Sequence, residues 1–434
     1  ILIKSYLFHG IVLELVNREL NVLKKMIHQK RRQELLSRLS DNAVVIVSSN
    51  SEQKRNSDVN YPFRPDSSFW YLTGFTEPDA IAVFSKKNYS IFLRPKDKTK
   101  EIWNGKRLGV KSATQVLLAD NAYSIDDFLK TIHKLININN LVYFDNSSTN
   151  KLNENITSIL ANTTKSLNPV ISEMRLIKDS NEIQNMQTAA NLAAKAHMTA
   201  MTKVSPGLYE YHVAAEIDAE FRTGNSDHAY PPIVASGKNS CILHYTENNK
   251  ILNDGDLLLI DAGCESLGYA SDITRTFPIN GRFSKAQKQI YQIVLSAQKS
   301  AIASIKPGEK VNTPHEIACD IISRELTKLG IMKELNNLNE FYMHKTGHWL
   351  GLDVHDVGEY KIDNDFRDFE EGMVTTVEPG IYIRKNDKID PKYWNIGIRI
   401  EDDVLVTKDG NHVLSKSAVK EVKDIEYLMS QNIT

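Results

Sequence analysis

Four carboxylates and three histidines stand in this chain at spacings that suit metal-dependent hydrolysis. Asp261 closes the apolar run Leu257 to Ile260, and Asp272 follows eleven residues later at the head of the β-prone stretch Ile273 to Phe277. Two like charges at neighbouring strand ends either shift each other's pKa strongly or share a cation. The same device returns further on. Asp254, Gly255, Asp256, LLLI, Asp261, Ala262, Gly263 has a counterpart in Glu371, Gly372, Met373, VTTV, Glu378, Pro379, Gly380. Asp272 with Ile273, Thr274, Arg275 is echoed by Arg399, Ile400, Glu401. Each copy supplies two carboxylates from strands, and a pseudo-twofold arrangement would bring all four together.

Between the copies lies MHKTGHWLGLDVHDVGEY, with His344, His348 and His355 interleaved with Gly347 and Gly351. The glycines permit close backbone approach, and one imidazole would complete an oxygen-rich site. Four carboxylates and a histidine suit two divalent cations, whose charge cancels theirs and leaves room for a bridging hydroxide. Hard ligands of this kind favour manganese over a thiolate zinc site.

The elements that must position these residues fall into two parts. At 434 residues the chain is long enough for two cores. From Ala43 to about Pro169, VVIVSS, AIAVFS, SIFLRP and LVYFDN read as strands, with helical patterns near Tyr123 to Leu135 and Lys151 to Leu160, so an α/β domain is expected over 26–172. The aromatic-rich Tyr61 to Ala80 segment suits either a packed loop or a cleft wall. From 173 to 434 the expectation is an α+β domain with an internal repeat. Helices are expected over Asn181 to Lys203, onward through Phe221, over Lys285 to Ile305, and from about Pro314 to Leu329.

Composition narrows the function further. The chain is 41% hydrophobic and 25% charged with a formal net charge of −1, which supplies no electrostatic reason to expect nucleic acid or an acidic membrane as partner. The scattered Cys241, Cys264 and Cys319 read as reduced thiols of a cytoplasmic protein. The opening ILIKSYLFHGIVLELV is broken by Lys4, His9 and Glu14, so residues 1–25 read as an N-terminal extension rather than a signal or anchor, with Met26 as the natural start. Lys30, Arg31 and Arg32 read as a solvated helix face.

IDAGCESLGYASDITRTFPINGRFS, GHWLGLDVHDVG, TTVEPGIYI and GIRIEDDVLVT resemble the motifs of the Xaa-Pro aminopeptidase (aminopeptidase P) family of pita-bread metallopeptidases. With FRPDSSFWYLTGFTEPDA, the resemblance runs from about Met26 to the C-terminus. It implies a creatinase-like N-terminal α/β domain and a pita-bread catalytic domain. It also implies metal ligation by Asp261, Asp272, His348, Glu378 and Glu401: Asp261 on one metal, Asp272 and Glu401 bridging, His348 and Glu378 on the second. Glu378 is further implied to take the proton of the bridging water. His244, His344 and His355 are implied to bind substrate and stabilise the transition state, Arg399 to support catalysis, and Tyr230 and Tyr382 to occupy active-site positions. The implied reaction releases the first residue from peptides with proline second, by attack of the bridging hydroxide, in a homodimer or homotetramer. Proline's tertiary amide lacks the N–H that many peptidases grip. Prolidase, which cleaves Xaa-Pro dipeptides with the same five ligands, is the alternative, and a non-catalytic peptide-binding pita-bread module a more distant one.

Overall fold

The computed structural model describes residues 26–144, 156, 164–333 and 335–431. The expected extension 1–25 and the pattern at Lys151 to Leu160, Ile156 excepted, lie outside the described residues. The chain divides between Met174 and Arg175 into two compact units. Among the described residues no helix is long and apolar enough to cross a membrane.

The first unit is built on a mixed six-stranded sheet in the spatial order 121–124, 89–93, 81–84, 43–48, 141–144, 164–166. Ala43–Ser48 and Ile81–Phe84 are buried along their whole length, which is why they read as unbroken apolar runs. Tyr123 was expected to open a helix, but Asn121–Ser124 is a strand paired in parallel with Tyr89–Leu93, and the helix Phe128–Leu135 follows a 3₁₀ turn. Tyr123 stacks on Phe92 with ring centroids 5.1 Å apart, so a long-range contact overrides the local pattern. The aromatic-rich segment forms the helix Ser67–Thr73, capped by Asp66 and Gly74, with Phe69 and Leu72 in the core. The basic cluster also departs from expectation. Lys30 is exposed, but Arg31 and Arg32 are buried with their guanidinium groups 4.1 Å and 3.9 Å from the rings of Tyr71 and Tyr89. Flat, weakly hydrated guanidinium groups stack on aromatic faces where an ammonium would stay in water.

The second unit has the repeated layout. Ser180–Lys203 opens with a capping box between Asp179 and Glu182 and packs an alanine-lined face that includes Ala189, Ala193 and Ala200. Glu210–Thr223 follows, and then a three-stranded antiparallel sheet with Leu257–Asp261 between Ile233–Ser236 and Thr274–Pro278. In the second copy Lys285–Ser304 is capped by Ser284 and Gln287, and Thr313–Lys328 carries Pro314 in its first turn. Val374–Val377 pairs with Asp402–Thr407, and Gly380–Ile383 pairs with Ile396–Arg399. The apolar core of this unit joins Leu257, Leu258 and Ile260 of one copy to Ile381, Ile383, Ile398 and Ile400 of the other.

Candidate metal centre

Register explains why the carboxylates converge. Asp261 ends its strand opposite Thr274, two residues past Asp272, while Val377 pairs with Asp402, which sets Glu378 beside Glu401 at the next position along. The Thr274 hydroxyl donates to Glu401 Oε2 at 2.6 Å, joining the two copies directly. Glu401 N–H donates to the Thr274 carbonyl at 3.0 Å. His348 arrives from the intervening segment, held by its N–H to Thr376 Oγ1 at 3.1 Å. Gly347 makes that approach possible, since a Cβ there would sit 2.1 Å from the Thr376 carbonyl oxygen. Gly351 is equally constrained, with a Cβ set to meet Asp356 Oδ2 at 2.1 Å.

Asp272, His348 and Glu401 each offer a ligand atom, and these atoms lie within 4.8 Å of one another. His348 Nε2 is 3.4 Å from Asp272 Oδ2 and 3.5 Å from Glu378 Oε1. Its Nδ1 lies 3.0 Å from the Trp349 carbonyl, so Nδ1 carries the proton and Nε2 turns its lone pair toward the carboxylates. A lone pair facing two anions requires a proton or a metal ion between them. Burial alone would lower the His348 pKa, but the hydrogen bond to Asp272 and the charge of Glu378 outweigh it and raise the group to about 9.

The carboxylates carry the same strain. Burial, then the charges of Asp272 and Glu378, push Glu401 well above the ordinary range. Glu378 is raised to about 7, chiefly by burial and against the pull of His348. Burial likewise raises Asp261 although Arg399 opposes it. The Tyr230 hydroxyl touches Asp272 and, at 2.7 Å, Asp261, yet it has one proton for the two. A donor set of oxygens and one imidazole, self-repelling when empty and supplied with a correctly held histidine tautomer, fits divalent cations.

Asp261 Oδ2 accepts from Arg399 Nη2 at 2.6 Å, and Arg399 Nη1 donates to the Tyr382 hydroxyl at 2.9 Å. His344 Nε2 is 2.9 Å from that same hydroxyl and its Nδ1 is 2.8 Å from the Lys345 carbonyl, so both ring nitrogens are engaged within the protein. Tyr382 is 1% exposed and stands behind Arg399 and His344 rather than on the cavity wall. His244 and His355 line the cavity and, among the described residues, make no hydrogen bond through their rings, with the His355 ring 4.3 Å from that of His348. The cavity, of about 900 Å³, is lined by Tyr230, Asp261, Asp272, His348, Glu378 and Glu401 at the polar end. Phe366, Phe369, Ile305 and Val311 add apolar wall.

Three features of the site escaped sequence reasoning. Asp403 accepts the Asp272 N–H at 3.1 Å, and the acidic triplet Glu401, Asp402, Asp403 was the signal for it. Buried Arg275 donates to the Glu401 carbonyl and, at 2.7 Å, to Asp402, steadying Glu401 through its backbone. Lys178 and Arg175 clasp Asp356 beside His355 from more than 170 residues away, a pairing that no local signal announces.

A buried carboxylate–histidine centre at matched strand ends of a pita-bread domain defines a metallohydrolase. Residues 184–408 match metallopeptidase family M24, and residues 28–143 match the aminopeptidase P N-terminal domain. The chain is 44% identical to the Xaa-Pro aminopeptidase of Haemophilus influenzae, over 94% of this chain and 98% of that one. It is 35% identical to Xaa-Pro aminopeptidase 3 of Homo sapiens, over 94% and 87% of the two chains. The solved structure of Pseudomonas aeruginosa aminopeptidase PepP aligns with a TM-score of 0.90 at 41% identity, covering 94% of this chain and 98% of that one. Aminopeptidase P from E. coli with the inhibitor Pro-Leu aligns with a TM-score of 0.90 at 40% identity, over 94% and 98% of the two chains. The chain belongs to metallopeptidase family M24, with the N-terminal domain of the aminopeptidase P group.

Proposed function

We propose that this chain is an Xaa-Pro aminopeptidase that removes the first residue of peptides carrying proline in second position. The observation that carries the reading is the cluster of Asp272, His348 and Glu401, flanked by Asp261 and Glu378 in one cavity. Asp261, Asp272, His348, Glu378 and Glu401 would hold two divalent cations, manganese foremost. Bound there, the cations supply Lewis acidity and bring a water's pKa to about 7.

The protein's own groups do the rest. Glu378 takes the proton of the attacking water at a carboxylate oxygen. His244 and His355 project from the cavity wall, orient the scissile carbonyl and stabilise its developing negative charge. Arg399 holds Asp261 and, through the Tyr382 hydroxyl, His344. Tyr230 supports Asp261 and Asp272. The proline ring packs on the apolar wall, which reads its shape where no N–H exists to be read. A cavity of about 900 Å³ has room for a peptide longer than a dipeptide.

The unpaired Cys241, Cys264 and Cys319 support a reducing, cytoplasmic setting. Ile102 and Trp103, 82% and 83% exposed, support a homodimer or homotetramer in which a second copy covers them. The test is metal-stripped enzyme restored with manganese and offered an Xaa-Pro dipeptide beside a longer Xaa-Pro peptide. Release of the first residue from the longer peptide is expected; cleavage of the dipeptide alone overturns the assignment in favour of prolidase.

A further inference from the structure

The segment that carries His244 has no regular secondary structure over 245–250, yet it must hold an imidazole steadily at the cavity wall. What orders it is Glu210, the first residue of the helix Glu210–Thr223 and 0% exposed. Its Oε1 accepts from the Ser236 N–H at 2.8 Å, the Ser236 hydroxyl at 2.7 Å and Asn239 Nδ2 at 3.2 Å. Its Oε2 accepts from the Tyr245 hydroxyl at 2.8 Å and the Lys250 N–H at 3.0 Å. The Glu210 N–H in turn donates to the Lys250 carbonyl at 2.9 Å. No Lys, Arg or His pairs with this carboxylate among the described residues. Its charge is carried by five donors and by the positive end of its own helix.

The donors are placed on both sides of His244. Tyr245 follows it directly, Lys250 closes the segment, and Asn239 and Ser236 precede it. Ser236 ends the strand Ile233–Ser236, whose first residue pairs with Asp261. A second clamp works on the same strand: Asn248 Oδ1 accepts the Val234 N–H at 2.9 Å, and Asn248 Nδ2 donates to the Pro232 carbonyl at 2.9 Å. One buried carboxylate thus connects the residue next to His244 with the strand beside a metal-ligand strand. A neutral amide is a poor replacement: whichever way it turns, its NH₂ points at a backbone N–H, that of Ser236 or of Lys250, which cannot accept, even though the hydroxyl beside it can.

We infer that Glu210 is a positioning residue for the hydrolytic reaction: its carboxylate, wrapped by five donors, fixes His244 against the strand that ends in Asp261. The inference rests on the proposed role of His244 at the substrate. It predicts that disturbing Glu210 acts on turnover through His244 and leaves metal binding intact.

The experiment is a pair of double-mutant cycles on an Xaa-Pro peptide, Glu210→Gln with His244→Ala and Tyr245→Phe with His244→Ala, with bound metal and melting temperature measured for each variant. Glu210→Gln is expected to lower kcat by about 100-fold, the scale of a roughly 1 Å misplacement, with metal content unchanged. In the His244→Ala background the same change should cost less than about 2-fold, since the group it positions is gone. Tyr245→Phe, which keeps the ring and removes one donor, should cost about 5-fold alone and nothing beside His244→Ala. Equal factors in both backgrounds overturn the inference and leave His244 in its role. A His244→Ala enzyme with wild-type kcat removes His244 from the site, and the inference with it. If Glu210→Gln does not fold, the Tyr245→Phe cycle decides alone.

Discussion

Replacing Asp356 by Asn should destabilise the catalytic unit and slow turnover together. Asp356 Oδ1 lies 2.6 Å from Arg175 Nη2, and Oδ2 lies 3.1 Å from Lys178 Nζ. The side chains of Asp356 and Lys178 are each 1% exposed and that of Arg175 is 4% exposed. Burial would raise the Asp356 carboxyl, but Arg175 and Lys178 outweigh it and hold the group below its usual range. With Asn in place, Lys178 loses the carboxylate charge 3.1 Å from its Nζ, and Arg175 retains Asp353, 2.7 Å away and 36% exposed. Breaking a buried pair by removing one partner costs about 3–5 kcal/mol. For a unit of this size each kcal/mol is worth roughly 2–4 °C, so the melting temperature should fall by roughly 10 °C. His355 precedes Asp356 in the chain, and a small shift of its ring should lower kcat by about 10-fold or more. Asp353→Asn, acting on the exposed member, should cost under about 1 kcal/mol. Thermal unfolding followed by circular dichroism, with kcat on an Xaa-Pro peptide measured below the transition, reads both effects. An Asp356→Asn enzyme that melts within about 2 °C of wild type would refute the reasoning.

Other perturbations have equally definite outcomes. His355→Ala should lower kcat by roughly 10²–10³-fold, the scale for one transition-state donor, and near-wild-type kcat would take it off the cavity's working wall. Asp272→Ala should abolish activity with loss of bound metal, and full occupancy by elemental analysis would contradict that. Gly347→Ala places a Cβ 2.1 Å from the Thr376 carbonyl oxygen and should displace His348, read as weaker metal retention on dialysis. His197, 0% exposed, is lowered to about 4 by burial and then by the charge of Arg275. Between pH 4 and about 6.5 the unfolded chain binds a proton that the folded chain refuses, so its contribution of ~3 kcal/mol is complete above the unfolded pKa and is lost as pH falls through that window. Melting temperature against pH should therefore slope less over that range in His197→Asn than in wild type; parallel slopes would refute it.

The sequence by itself determined the strands and helices that carry the site, though it misjudged Asn121–Ser124 and the helix Ser67–Thr73 in the first unit. Apolar runs such as Leu257 to Ile260, bounded by Gly255 and Gly263, could be little else than buried strands, and the repeat placed Glu378 and Glu401 by the same rule as Asp261 and Asp272. Local signals sufficed there because strand length, capping and turn chemistry act over a few residues. Tertiary structure alone decided which groups face one another. His348 turns its Nε2 to the carboxylates while His344, four residues earlier, spends both ring nitrogens on Tyr382 and Lys345. Arg31 and Arg32 left the solvated face assigned to them because Tyr71 and Tyr89 came within stacking distance. Glu210 met Tyr245 and Lys250, and Asp356 met Arg175 and Lys178, across separations of up to 181 residues. Such partners carry no periodic or spacing signal, since a buried charge is specified by whatever donors the completed fold brings to it.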